Sequence, residues 1–175
     1  GDWSSDVCSS DLGDHGIAVL EARGELGFET DLESDIAPLN AMVEAMLDAS
    51  SNIHVMRDPT RGGVATALNE IARQSGVGIV IQEKALPVRG PVRAACEMLG
   101  FDPLYVANEG KLLAIVQEED AESVLEAMKT SPYGSQAAVI GRVTTEPPGR
   151  LLLETALGAR RVVDLLSGEM LPRIC

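Results

Sequence analysis

Met56-Arg57-Asp58-Pro59-Thr60-Arg61-Gly62-Gly63-Val64-Ala65-Thr66-Ala67-Leu68-Asn69-Glu70-Ile71-Ala72, residues 56–72, decides how the rest of the chain is read. Its second half predicts a helix from Val64 to about Gln74, with Val64, Ala67, Leu68, Ile71 and Ala72 on one side. Ser75-Gly76 stops it. The first half continues a turn-rich loop from Ile53 and brings two glycines to the helix N-terminus. Paired glycines let backbone approach an anion, and first-turn N–H groups have no partner inside the helix. Arg61 can add a charge-assisted contact, and Asp58 can cap the helix or face a metal–phosphate. This is not the GxxxxGK[ST] loop. Taken alone, it is equally an ordinary helix start with a glycine lead-in.

Outward from this stretch, helices and strands interleave. Upstream, the spacing predicts a helix over 36–49: Asp35 as cap, Pro38 in the first turn, and Ile36, Leu39, Met42, Val43, Met46 and Leu47 as its apolar stripe. Downstream, 77–82 reads as a strand, 91–99 as a helix ended by Gly100, and 111–116 as a buried strand. An amphipathic helix follows over 120–129, then strands over 137–143, 150–154 and 159–163. His54 reads as a strand residue with no role. Without strict βαβ repetition, the expectation is an α+β fold, layered around a mixed sheet.

Composition narrows the function. Apolar residues are 45% of 175, enough for a packed core, but aromatics are 3%, so base stacking has little to work with. With 14 basic and 27 acidic residues the net charge is −13, the wrong sign for a nucleic-acid surface. No apolar run is long enough to span a membrane, and no export signal opens the chain. Cys8, Cys96 and Cys175 are odd in number and show no metal-ligand spacing. These features are those of a reduced, cytoplasmic protein without a metal centre of its own.

Residues 1–12 look foreign. Ser4-Ser5-Asp6-Val7 is nearly repeated as Ser9-Ser10-Asp11-Leu12 without apolar period, as in a cloning or assembly scar or a disordered arm. The segment is set aside, leaving a domain over 13–166 and a tail over 167–175. Three further places carry candidate chemistry. Asn108-Glu109-Gly110-Lys111 puts a carboxylate at a turn before a buried strand, where burial would make it a base near neutrality. His15, in Gly13-Asp14-His15-Gly16, could donate a hydrogen bond to phosphate or act in acid–base chemistry. Cys175 ends a tail hinged at Gly168, with a reach of about 30 Å when extended. Cys96 reads as a packed small side chain.

GDHGIAV (13–19), MRDPTRGGVATALNEIA (56–72), DPLYVANEGK (102–111) and the ending LPRIC (171–175) together resemble the HypE family of hydrogenase maturation factors, within the aminoimidazole ribonucleotide (AIR) synthetase-related superfamily. The resemblance covers about residues 13–175. It implies a PurM C-terminal-domain-like fold and an ATP-dependent carbamoyl dehydratase. A HypF-type carbamoyl transferase would load the Cys175 thiol. The S-carboxamide would become S-thiocyanate, and the cyanide would pass to iron on a HypC–HypD complex for [NiFe]-hydrogenase. On this resemblance Glu109 is the base and Asn108 orients the amide. Asp58, Thr60, Arg61, Gly62 and Gly63 contact the ATP phosphates or Mg²⁺, and His15 joins the same pocket with Asp14 beside it. The family also carries an upstream domain with most nucleotide contacts, a catalytic lysine and much of a homodimer interface. Without it, the expectation is a folded C-terminal domain with a modifiable tail and no turnover alone. The alternatives are a sister synthetase of the purine cyclo-ligase or selenophosphate type, or a thiol-bearing carrier or docking module.

Overall fold

The computed structural model describes residues 12–27 and 31–165, together with the backbone of 6–8. Among the described residues seven strands form one sheet: β1 (Asp6–Cys8), β2 (Ile53–Arg57), β3 (Gly78–Gln82), β4 (Leu113–Val116), β5 (Ala138–Thr144), β6 (Leu151–Glu154) and β7 (Arg160–Val162). Their order is β2-β4-β1-β5-β3-β6-β7, antiparallel throughout except for the parallel pair β3–β6. Five helices pack around it: α1 (Asp14–Ala22), α2 (Asn40–Ala49), α3 (Gly63–Ser75), α4 (Gly90–Leu99) and α5 (Ala121–Thr130). The mixed sheet and α+β layering expected from the sequence are both present.

Strand β4 shows why the layers form. All four of its residues are buried. Successive strand side chains point to opposite faces. Leu113 and Ile115 pack in one core with Val64, Leu68 and Ile71 of α3. Ala114 and Val116 pack in a second core with Met42 and Met46 of α2 and Val124 and Met128 of α5. A strand covered on both sides has to be apolar at every position, and Leu-Ala-Ile-Val is. A third core, between α1 and α4, holds Ile17, Leu20, Val92, Ala95 and Val106. Leu68 is fully buried. Leu68→Ala is therefore expected to cost about 2–5 kcal/mol, read as a shift in urea midpoint. An unchanged midpoint would mean the α3 face is not packed on β4.

Two elements depart from the sequence expectation. Residues 6–8, set aside with 1–12, form β1, which pairs with β4 on one side and β5 on the other. Pairing on both edges is a tertiary effect that a three-residue segment without period does not advertise. Second, α2 begins at Asn40 rather than Ile36. Proline disfavours helical backbone in the residue before it, so 31–39 runs as an irregular strap. Ile36, expected on the apolar stripe, is 71% exposed, and Leu47 is exposed too. Helix α1, for which the sequence set no expectation, starts inside the GDHG turn, with Gly13 in the left-handed region at φ +88°. The turn-rich reading of 53–63 is also shortened, because 53–57 is β2.

Four connections meet at one end of α3: the GDHG turn, the strap 31–39, the β2–α3 loop 58–62 and the α4–β4 loop 100–112. The tail 167–175 lies outside the described residues. Among the described residues no helix is long and apolar enough to cross a membrane.

Candidate active site

Asn108 is where three of these connections are tied together. It is 1% exposed. Its Oδ1 accepts the Gly13 N–H at 2.7 Å. Its Nδ2 donates to the Pro59 and Val106 carbonyls, both at 3.0 Å. Both amide protons are thus committed to backbone. Asn108 thereby holds these loops together. Glycines allow the close approach. A Cβ on Gly16 would lie 2.4 Å from a Val106 methyl. One on Gly63 (φ +62°) would lie 2.5 Å and 2.6 Å from the Leu104 and Val106 carbonyl oxygens.

The clamp brings His15 and Glu109 together. The nearest oxygen of Glu109, Oε1, lies 4.0 Å from His15 Nε2. That is beyond hydrogen-bond distance but close enough for the two groups to serve one ligand. The His15 side chain is 9% exposed and that of Glu109 31%. On the ring's other side, Nδ1 is 2.8 Å from Ser34 Oγ. Asp14 is buried and faces Arg89, with 3.1 Å between Oδ2 and the guanidinium.

The strap supplies two residues that the sequence reading missed. Asp35, read as a helix cap, accepts the Glu109 backbone N–H at 3.0 Å. Its other oxygen lies 3.4 Å from Lys111 Nζ, with both side chains almost fully buried. The strap backbone lies directly over Gly110, where any Cβ would collide with the Asp35 carbonyl oxygen at 1.7 Å. No local signal marks a cap-like Asp as the partner of residues 74 and 76 positions away. The only hint was Pro38, which argues against a helix as early as 36.

Beside this pair, the β2–α3 loop opens on a cleft of about 380 Å³ lined by Arg57, Asp58, Thr60, Arg61, Thr66, Ala67 and Glu70. Gly62 (φ +71°) precedes α3 and no side chain caps the helix. The Thr60 hydroxyl donates to Asp58 Oδ2, and this bond holds the Asp58 carboxyl below the usual range despite some burial. Asp58 therefore stays an anion near neutrality. Arg57 is paired with Glu70 at 2.5 Å. Arg61 is exposed and Thr60 half-buried. Asn108 ties Gly13, two residues from His15, to Pro59, between Asp58 and Thr60, and Gly63 packs on the Leu104 and Val106 carbonyls. Cys175 lies outside the described residues. Cys96 is 1% exposed and its thiol is pushed up to about 11, mainly by burial, as suits a packed side chain.

The pattern of the C-terminal domain of AIR synthase related proteins matches residues 7–154. The chain belongs to that family. Among AIR synthase related proteins it is similar to the carbamoyl dehydratase HypE of Azotobacter vinelandii, with 56% identity over 169 residues, 97% of this chain and 50% of that protein. A hydrogenase maturation protein HypE solved in complex with ATP superposes at a TM-score of 0.92, with 46% identity, over 100% of this chain and 53% of that one. The match to a HypE–HypF complex has a TM-score of 0.89 and 44% identity, covering 95% of this chain and 54% of that chain. This AIR synthase related chain spans about half the length of the curated relatives it matches. The match over 97% of the sequence bears out the HypE resemblance read from the four motifs.

Proposed function

We propose that this chain is the C-terminal half of an ATP-dependent carbamoyl dehydratase that makes thiocyanate on Cys175 for hydrogenase maturation. The observation that carries the reading is the Asn108 clamp, which holds a His15–Glu109 pair next to a glycine-led helix start. The identity to HypE proteins supports it. A partner of the HypF type would carbamoylate the thiol, a HypC–HypD type complex would take the cyanide, and the complete protein would be a homodimer.

The residues present suit a nucleotide. Gly62 leads into a helix start that no side chain among the described residues caps, Gly63 packs on the Leu104 and Val106 carbonyls, and Arg61 and Thr60 line the cleft beside it. Asp58, kept anionic by Thr60, suits a Mg²⁺ held jointly with phosphates. ATP would supply the phosphoryl group that turns the carboxamide oxygen into a leaving group. In balance, R–S–C(=O)NH₂ and ATP give R–S–C≡N, ADP, phosphate and one released proton. Two protons leave the nitrogen: one as its oxygen is phosphorylated, one as the C–O bond breaks and phosphate departs. Glu109 takes the first. The second leaves on phosphate. Arg61 and the α3 N-terminus offset charge growing on the departing group.

The test is a single chain joining residues 6–175, β1 included, to the upstream part of the Azotobacter vinelandii relative. Given a carbamoyl transferase, carbamoyl phosphate and ATP, its tail peptide is expected to gain a carbamoyl group and then lose one water, read by mass. Cys175→Ser is expected to abolish both changes. Carbamoylation without water loss would overturn the dehydratase reading, and modification of the Ser variant would overturn the assignment of the thiol.

A further inference from the structure

The strap carries more than packing. Ser34 Oγ is within reach of two nitrogens: the Ile36 backbone N–H at 3.4 Å and His15 Nδ1 at 2.8 Å. A backbone N–H only donates, so Ser34 is an acceptor toward Ile36. A hydroxyl oxygen keeps a second lone pair, so Ser34 can either donate to His15 Nδ1 or accept from it, and the far side of the ring selects between the two. A neutral ring that accepts at Nδ1 carries its proton on Nε2. Nε2 is the atom that faces the Glu109 carboxylate. The Glu109 carboxylate beside Nε2 favours a ring N–H on that side, which leaves Nδ1 as the acceptor of the Ser34 hydroxyl proton.

We infer that Ser34 is a positioning residue that fixes His15 as its Nε2–H tautomer, with Asp35 docking the strap so that Ser34 stays in reach. Asp35 does this through the Glu109 N–H and Lys111, and Gly110 leaves the room for it. The tautomer divides the labour in the pocket. Glu109 is the proton acceptor. His15 is a hydrogen-bond donor, which suits the carboxamide oxygen or the phosphate formed on it and leaves the first nitrogen proton to the carboxylate. A ring protonated on Nδ1 would instead present a second acceptor to the same nitrogen. This division of labour rests on the dehydratase reading above. The tautomer does not, and it is measured without turnover.

The chain has two histidines, His15 and His54. Long-range ¹⁵N–¹H correlation on the uniformly labelled chain at mildly alkaline pH reads the protonated nitrogen of each neutral ring. His54, exposed and 63 residues from its Gln117 neighbour, is the internal reference. His15 is expected to give the Nε2–H pattern alone. Ser34→Ala should replace it with a mixture of tautomers, Ser34→Thr should restore it, and His54 should not move in either. Gly110→Ala, which forces the strap off, should give the same loss as Ser34→Ala. An Nδ1–H pattern in the unsubstituted chain, or an unchanged Nε2–H pattern in Ser34→Ala, overturns the inference. If the tautomer behaves as expected but the fused enzyme makes no thiocyanate, the fault lies with the dehydratase reading and not with Ser34.

Discussion

Glu109→Gln in the fused enzyme is expected to lower thiocyanate formation by about 10²- to 10⁴-fold, the usual contribution of a positioned general base. Loading of Cys175 should be unaffected, because the transferase does that chemistry. The substitution keeps the shape of the side chain and the backbone N–H that Asp35 accepts, so the loop should stay in place. What it removes is the lone pair that takes the nitrogen proton. The carbamoylated tail should therefore accumulate, visible as a stable mass gain without the following water loss. ATP affinity should change little if the β2–α3 loop faces the phosphates as proposed, since Glu109 does not line the cleft at that loop. A fall of less than about tenfold would remove Glu109 from the role of base.

Much of this arrangement was legible in the sequence because its signals are local. The α3 stripe, the glycine lead-in, the turn before β4 and the apolar run of β4 each announce themselves within a dozen residues. So did the packed state of Cys96 and the strand position of His54. What was not legible depends on distant partners. Asp6–Cys8 become a strand because β4 and β5 offer free backbone on both sides. Asp35 reads as a cap because its true partners, Glu109 and Lys111, are more than seventy positions downstream. Asn108 reads as a polar turn residue, and only the fold brings it to Gly13 and Pro59. The charged and glycine-rich positions could be picked out from type and spacing. The residues that hold them in place could not, because a hydrogen-bonding side chain gives no sign of which backbone it will reach.

That asymmetry makes the clamp the place to test the architecture itself. Asn108→Ala removes three hydrogen bonds and leaves the Gly13 N–H and the Pro59 and Val106 carbonyls without this partner in a site that is 1% exposed at Asn108. Each unsatisfied buried group costs about 1–3 kcal/mol, partly relieved where water enters the space the side chain leaves. A net loss of about 3–4 kcal/mol is expected, a large share of the roughly 5–15 kcal/mol that holds a typical domain together. Equilibrium unfolding in urea reads it directly. Asn108→Asp is the informative companion. It keeps the acceptor for Gly13 but turns two donors into a carboxylate oxygen facing two carbonyls, so it should be at least as damaging although it differs by one atom type. If Ala cost less than about 1 kcal/mol, the loops would be held by their remaining backbone contacts, such as the Gly16 N–H to Ala107 carbonyl bond at 3.1 Å. The His15–Glu109 pair would then owe its geometry to the strap alone.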